Sequence, residues 1–134
     1  MVDWKPSASL QNLQQRAYAL AKIRRFFSER DVLEVETPLL ASSTVPDVYI
    51  ESIAAQVVKD NSSRKNFLQT SPEFFMKRLL ASGSGSIYQI AKAFRQEEKG
   101  ARHNIEFTLL EWYRLSYSLD QLMAELEELV QEVL

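Results

Sequence analysis

Apolar positions along the chain follow two periods, and the switches between them mark out the elements. Leu13, Ala17, Leu20, Ile23, Arg24 and Phe27 fall on or near one stripe at spacings of three and four, which predicts a helix from Leu10 to about Arg30. Ser9 stands where an N-cap belongs, and Asp31 breaks the run. The pattern then changes to alternation. Val32 to Glu36 reads as a short strand, with Leu33 and Val35 pointing one way and Glu34 and Glu36 the other, halted by Pro38. Residues 41–47 are polar and turn-rich. A strand is expected from Tyr49 to Lys59, where Ile53, Ala55 and Val57 alternate. A turn over Lys59 to Lys65 then leads to a partner strand from Asn66 to Thr70. Ser71, Pro72 and Glu73 open a second helix that runs to about Ala81, with Pro at the first helical position and an acid in the first turn. Ser82 to Gly85 ends it.

Two further strands follow, Ser86 to Glu97 and Ile105 to Arg114, joined by a charged loop from Glu98 to Asn104. A capping box, Ser118-x-x-Gln121, starts a last helix whose apolar stripe is Leu119, Leu122, Met123, Leu126, Leu129, Val130 and Val133. Glu125, Glu127, Glu128 and Glu132 lie off that stripe. Helix, strand, hairpin, helix, long hairpin, helix is an α+β order: an antiparallel sheet with helices packed on it.

The 134 residues suffice for one domain with a core, and 46% apolar with 25% charged residues is an ordinary globular composition. A net charge of −2 gives no global field for a polyanion, although Lys22, Arg24 and Arg25 form a local basic cluster. The lack of cysteine excludes disulfides and thiolate chemistry, and fits a reducing cytoplasm. One histidine argues against a His-based metal site or a Ser-His-Asp triad. No apolar run approaches the roughly 18 residues of a membrane span, so no membrane association is expected. The last helix runs to Leu134 without a stop signal, and a fragment of a longer protein is expected.

The long hairpin carries the chemistry. By alternation, Ala91, Ala93, Arg95 and Glu97 share one face of its first strand, and Ile105, Phe107, Leu109, Glu111 and Tyr113 share one face of its second. If the two faces coincide, one surface holds a guanidinium, two carboxylates, a ring and a phenol, with two alanines leaving room for a ligand. Each residue also has a plain structural reading. Arg95 and Glu97 suit an ion pair; a guanidinium on a strand equally suits a phosphate or carboxylate. Phe107 suits a core or a stack on a flat ring. Glu111 and Tyr113 suit an open sheet face or a grip on an ammonium group. His103 suits an exposed loop or, beside Arg102, a phosphate contact. Glu73 suits the helix dipole or a bound amine.

Three ordered segments carry a resemblance. FRQEEKGARHNIEFTLLEWYR resembles motif 2 of class II aminoacyl-tRNA synthetases in the form of the lysyl branch, Phe-Arg-x-Glu, a loop, then His-Asn-x-Glu-Phe-Thr-x-x-Glu-x-Tyr. IRRFFSERDVLEVETPLL resembles motif 1 up to its proline, Pro38, and TSPEFFMKRLL resembles the Thr-Ser-Pro-Glu segment between them. The short WKPSAS leader, the Glu-Glu-x-Gly loop and the LEWYR ending are most similar to the elongation factor P–lysine ligase family. Ile105 departs from the proline usual at its position.

The resemblance implies the N-terminal portion of a class II catalytic domain over residues 1–134, holding motifs 1 and 2, with motif 3 beyond Leu134. It implies activation of lysine or (R)-β-lysine by ATP, and transfer to a lysine of elongation factor P. Charging of tRNA by a lysyl-tRNA synthetase is the alternative. It implies Arg95 on the α-phosphate and the amino-acid carboxylate, Glu97 and Phe107 on adenine, His103 and Arg102 near the outer phosphates, and Asn104 as a nearby polar site residue. Glu73 and Glu111 would receive amino groups, with Tyr113 beside them. Mg²⁺ is implied as cofactor, its ligands outside these residues, and the piece alone is expected to be inactive. Motif 1 implies a homodimer interface that includes Arg24, Phe27, Val35 and Pro38.

Overall fold

A computed structural model describes residues 4–60, 62–96 and 103–134. The chain divides into two units, residues 1–32 with 114–134, and residues 33–113.

The first unit is built from two helices, α1 (Leu10–Ser28) and α3 (Leu119–Val133). Both start where the sequence puts their caps. The Ser9 hydroxyl accepts the N–H of Asn12 at 3.1 Å. At α3 the Ser118 hydroxyl accepts the N–H of Gln121, and the Gln121 side chain accepts the N–H of Ser118, so the capping box closes both ways. Asp31 ends α1 in a left-handed conformation (φ 53°), and the N–H of Val32 returns to the carbonyl of Phe27 at 3.0 Å. Burial on α1 is confined to its last turns. Phe26 and Phe27 are fully buried, with their rings edge-to-face at 5.3 Å, while Leu13 and Ala17 from the predicted stripe are exposed.

The stripe on α3 is also only half used. Leu129 is buried and Leu122 and Val133 are half-buried, but Leu119, Met123, Leu126 and Val130 are exposed. Glu125, off the predicted stripe, is only 5% exposed. The reason is Arg114, whose Nε lies 3.1 Å from the Glu125 carboxylate in a buried pair. Arg114 also donates to the carbonyl of Arg30 and to the Tyr117 hydroxyl. An inward cation draws its counter-ion inward, because a buried charge without a partner is costly. Arg25–Glu132 (2.6 Å) joins the two helices at the surface, and Arg30–Glu128 (3.0 Å) joins the turn after α1 to α3.

The second unit holds two three-stranded sheets and one helix. In the first sheet the order is β1 (Leu33–Glu34), β5 (Ile87–Phe94), β6 (Glu106–Tyr113). β5 and β6 are antiparallel; β1 runs parallel to β5, with Leu33 opposite Ile87. The parallel pair departs from a purely antiparallel expectation but covers two residues, so the α+β class stands. The second sheet has the order β2 (Leu40–Ala41), β4 (Ser62–Leu68), β3 (Ala54–Lys59) and is antiparallel throughout.

The β3–β4 hairpin is tighter than predicted. Lys59 pairs with Ser62, and Asp60 turns the chain at φ 50°. Aspartate tolerates that region, so Ser62 to Lys65, polar enough to read as a turn, joins the strand. Tyr49 to Ile53 is not strand, and Val48 and Tyr49 are 90% and 96% exposed. The two-residue β2 gave no signal in the sequence. The helix α2 (Glu73–Ala81) begins one residue later than expected, with Pro72 as its N-cap residue. The Ser71 hydroxyl accepts the N–H of Glu73 at 3.4 Å, and Met76 is fully buried. Segment 69–70 ties the sheets together: the N–H of Gln69 reaches the carbonyl of Leu39, and the N–H of Phe94 reaches the carbonyl of Gln69.

Candidate active site

The register of β5 against β6 decides whether the chemical residues meet. Ile87 lies opposite Tyr113, Gln89 opposite Glu111, Ala91 opposite Leu109 and Ala93 opposite Phe107. Odd-numbered residues of one strand therefore face odd-numbered residues of the other, and the two rows coincide on one face. The backbone pairing extends one step further, with the N–H of Arg95 on the carbonyl of Ile105 at 2.9 Å. The opposite face combines the buried Tyr88 and half-buried Ile90, Leu110 and Trp112 with an exposed ion pair, Lys92–Glu106 at 2.9 Å.

One end of the shared face is cationic. Arg95 is half-buried, its Nε donates to the carbonyl of Thr70 at 3.4 Å, and its guanidinium carbon stands 5.0 Å from the centre of the Phe107 ring. A carbonyl and an aromatic face thus limit the rotamers of a planar, permanently charged group. Phe107 is half-buried. His103 and Asn104, at the entry to β6, are exposed. Glu97 and Arg102 lie outside the described residues.

The other end is anionic. The Tyr113 hydroxyl donates to Glu111 Oε1 at 2.6 Å. Burial pushes the Glu111 carboxyl upward from its ordinary value; Tyr113 opposes that shift, Glu73 adds to it and Lys77 opposes it. Burial, and then Glu111, push the Tyr113 phenol upward as well, so it remains a donor. Across from them, on α2, Glu73 pairs with Lys77 one turn along at 2.5 Å. Two carboxylates, a phenol and an ammonium group therefore share this end. A second ammonium arriving from solution finds acceptors in place.

Between the two ends the face is closed. Ala91 and Ala93 are buried, so they pack within the chain rather than leave an open floor. Open space lies beside each end instead. A cavity of about 610 Å³ is lined by Thr44, Tyr49, Glu51, Lys65, Phe67 and Gln96, next in sequence to Arg95. Another, of about 360 Å³, is lined by Asp47, Tyr49, Glu73 and Phe74. Val45, Asp47, Val48 and Tyr49 border both, a role their turn-like composition did not suggest.

Sequence reasoning also passed over Gln89. Its odd number and its place two residues before Ala91 were the available signal. It is 3% exposed, and its Oε1 accepts the Thr37 hydroxyl at 2.9 Å. Of the residues expected at a subunit interface, Arg24 and Pro38 are exposed, Val35 is half-buried and Phe27 is fully buried.

The family described as class II tRNA synthetases (D, K and N) matches residues 1–134. The chain is 52% identical over 134 residues to an elongation factor P–(R)-β-lysine ligase of Vibrio vulnificus, covering 98% of this chain and 42% of that protein. The same name belongs to a Proteus mirabilis protein, 50% identical over 136 residues, covering all of this chain and 42% of that protein. It also belongs to a Vibrio cholerae protein, 52% identical over 134 residues, covering 98% of this chain and 41% of that protein. The chain thus spans about two-fifths of the length of the curated relatives it matches.

Proposed function

The chain belongs to the class II tRNA synthetases of the D, K and N type, and from that premise we propose that it supplies the motif 1 and motif 2 part of a ligase. That ligase uses ATP to activate lysine or (R)-β-lysine and transfers it to a lysine of elongation factor P. The observation that carries this reading is the register of β5 and β6, which joins Arg95, Phe107, Glu111 and Tyr113 on one face. The names of the relatives supply the acceptor.

In the first step an oxygen of the amino-acid carboxylate attacks the α-phosphorus of ATP and pyrophosphate leaves. Positioning and charge stabilisation do the work, and no protein nucleophile is needed. Arg95 binds the α-phosphoryl oxygens and the incoming carboxylate, and its fixed orientation suits charge that develops there. Phe107 stacks on adenine and Glu97 meets its edge, with His103, Arg102 and Asn104 around the outer phosphates. Glu73, Glu111 and Tyr113 receive the amino groups. Mg²⁺ would neutralise phosphate charge when bound. Among the described residues no three histidine or acidic side chains converge as a metal site.

A cytoplasmic homodimer that includes the α1–β1 region fits the resemblance. There Arg24, Val35 and Pro38 would meet the second copy, and Phe27 would support α1 from beneath. No helix is long and apolar enough to cross a membrane among the described residues. The test is to incubate the full-length protein with ATP, labelled lysine or β-lysine, elongation factor P and tRNA. Label on elongation factor P is the expected result; label on tRNA alone would make it a tRNA synthetase.

A further inference from the structure

The anionic end of the site carries a cation of its own. Lys77 stands one turn after Glu73 on α2, and its Nζ meets the Glu73 carboxylate at 2.5 Å. Glu111 senses both groups: Glu73 favours its protonated form and Lys77 its ionised form. Glu111 itself accepts the Tyr113 hydroxyl at 2.6 Å. Glu111 thus has a neutral donor, while the ammonium group sits on Glu73. With two carboxylates and one ammonium group, this end has one negative charge to spare. Lysine and β-lysine each bring two ammonium groups at neutral pH. One of them meets the spare charge; the other needs the carboxylate that Lys77 holds.

The Glu73–Lys77 pair gives way easily. The Lys77 side chain is 56% exposed and that of Glu73 40%. An i,i+4 pair on an exposed helix face is weak, and a released ammonium group is solvated at once. Glu73 also lines the cavity of about 360 Å³, so a ligand there reaches it from solution.

We propose that Lys77 sets the affinity of the amino-acid site: it holds Glu73 as an internal stand-in for a substrate ammonium group, and an amino group of the bound amino acid displaces it. This rests on the reading of Glu73 and Glu111 as amine acceptors, and it adds a competitor to them. Each binding event breaks the Glu73–Lys77 pair, and the pair re-forms when the aminoacyl group leaves.

The experiment uses the full-length protein with L-lysine as the probe, dissociation constants from calorimetry and thermal melting as the check on folding. Lys77→Met removes the competing charge and keeps the reach of the side chain. Lysine is expected to bind about two- to fivefold tighter, the range that an exposed ion pair sets. Lys77→Arg keeps the charge and should restore the wild-type affinity. Unchanged or weaker binding by folded Lys77→Met overturns the proposal. In protein carrying ¹³Cε-labelled lysine side chains, the Lys77 signal, assigned by its loss in Lys77→Met, should move to the position of a solvated lysine when the probe is added. A Lys77 signal that stays in place at saturation also overturns the proposal, because tighter binding then reflects only the field of its charge. Glu73→Gln and Glu111→Gln are measured beside these variants. If they weaken lysine binding and Lys77→Met does not tighten it, the stand-in role fails and the amine-site reading stands. If neither glutamine variant changes lysine affinity, the amine-site reading is what fails.

Discussion

The two hairpins of residues 33–113 make an instructive pair. β5–β6 has eight-residue strands, with Ile87, Tyr88, Gln89, Ala91 and Ala93 all buried on its first strand. β3–β4 is nearly as long, yet the described residues of β3 are exposed or half-buried, with Val58 71% exposed. The buried hairpin carries the charged and aromatic residues of the site; the exposed one carries Arg64 and Lys65 on a solvated surface. Holding a chemical group in one place requires neighbours that forbid its other rotamers. Arg95 has them in the Thr70 carbonyl and the Phe107 ring.

Replacing Arg95 by alanine should separate the hairpins most sharply. Removal of one preorganised charged contact costs about 3 to 4 kcal/mol of barrier, or roughly 10²–10³-fold in rate. Lysine-dependent ATP–pyrophosphate exchange in the full-length protein is expected to fall by that much, with little change in melting temperature. Exchange within tenfold of wild type would remove Arg95 from the reaction. An Arg64→Ala change on β4 should leave exchange unaltered.

Packing differs next. Ala93 is fully buried, so Ala93→Leu overpacks the C-terminal end of β5 and should lower stability by about 1 to 3 kcal/mol in denaturant titration. Val58→Thr on β3 should stay within about 0.5 kcal/mol. Equal losses at the two positions would mean that both hairpins are equally packed.

Glu111→Gln tests function against stability. The folded-state carboxyl titrates above its ordinary value, chiefly through burial. A raised acid group favours the fold when protonated, and that contribution is lost as pH rises through the folded value. The neutral amide should therefore be somewhat more stable than wild type near pH 7, with the gap closing as pH falls below the carboxyl range. The same change should raise the KM for lysine by about tenfold or more, since a hydrogen bond to a charged group is worth about 1.5–3 kcal/mol. Loss of stability at neutral pH would contradict the burial argument.

The smallest effect belongs to the turn of the exposed hairpin. Asp60 sits at φ 50°, where glycine has no Cβ penalty, so Asp60→Gly should change stability by less than about 1 kcal/mol. A large loss would show that the Asp60 side chain, not its backbone, makes the turn.

Local chemistry explains what could be read in advance. Caps at Ser9 and Ser118, the Ser71-Pro72-Glu73 start and the parity of Arg95, Phe107, Glu111 and Tyr113 depend on residues a few positions apart, and the chain alone determined them. The α+β class followed from their order, and the resemblance rested on motifs equally local. What the tertiary structure decided depends on residues far apart in sequence. The coincidence of the two odd rows is a register, set by pairing across the hairpin. The burial of Glu125 follows from an arginine eleven positions away. The place of Gln89, across from Glu111 and bonded to Thr37, joins three segments distant in sequence, and its own segment reads as plain strand. Periodicity reports which faces an element has; only packing chooses which of them is covered, because that choice belongs to the partners.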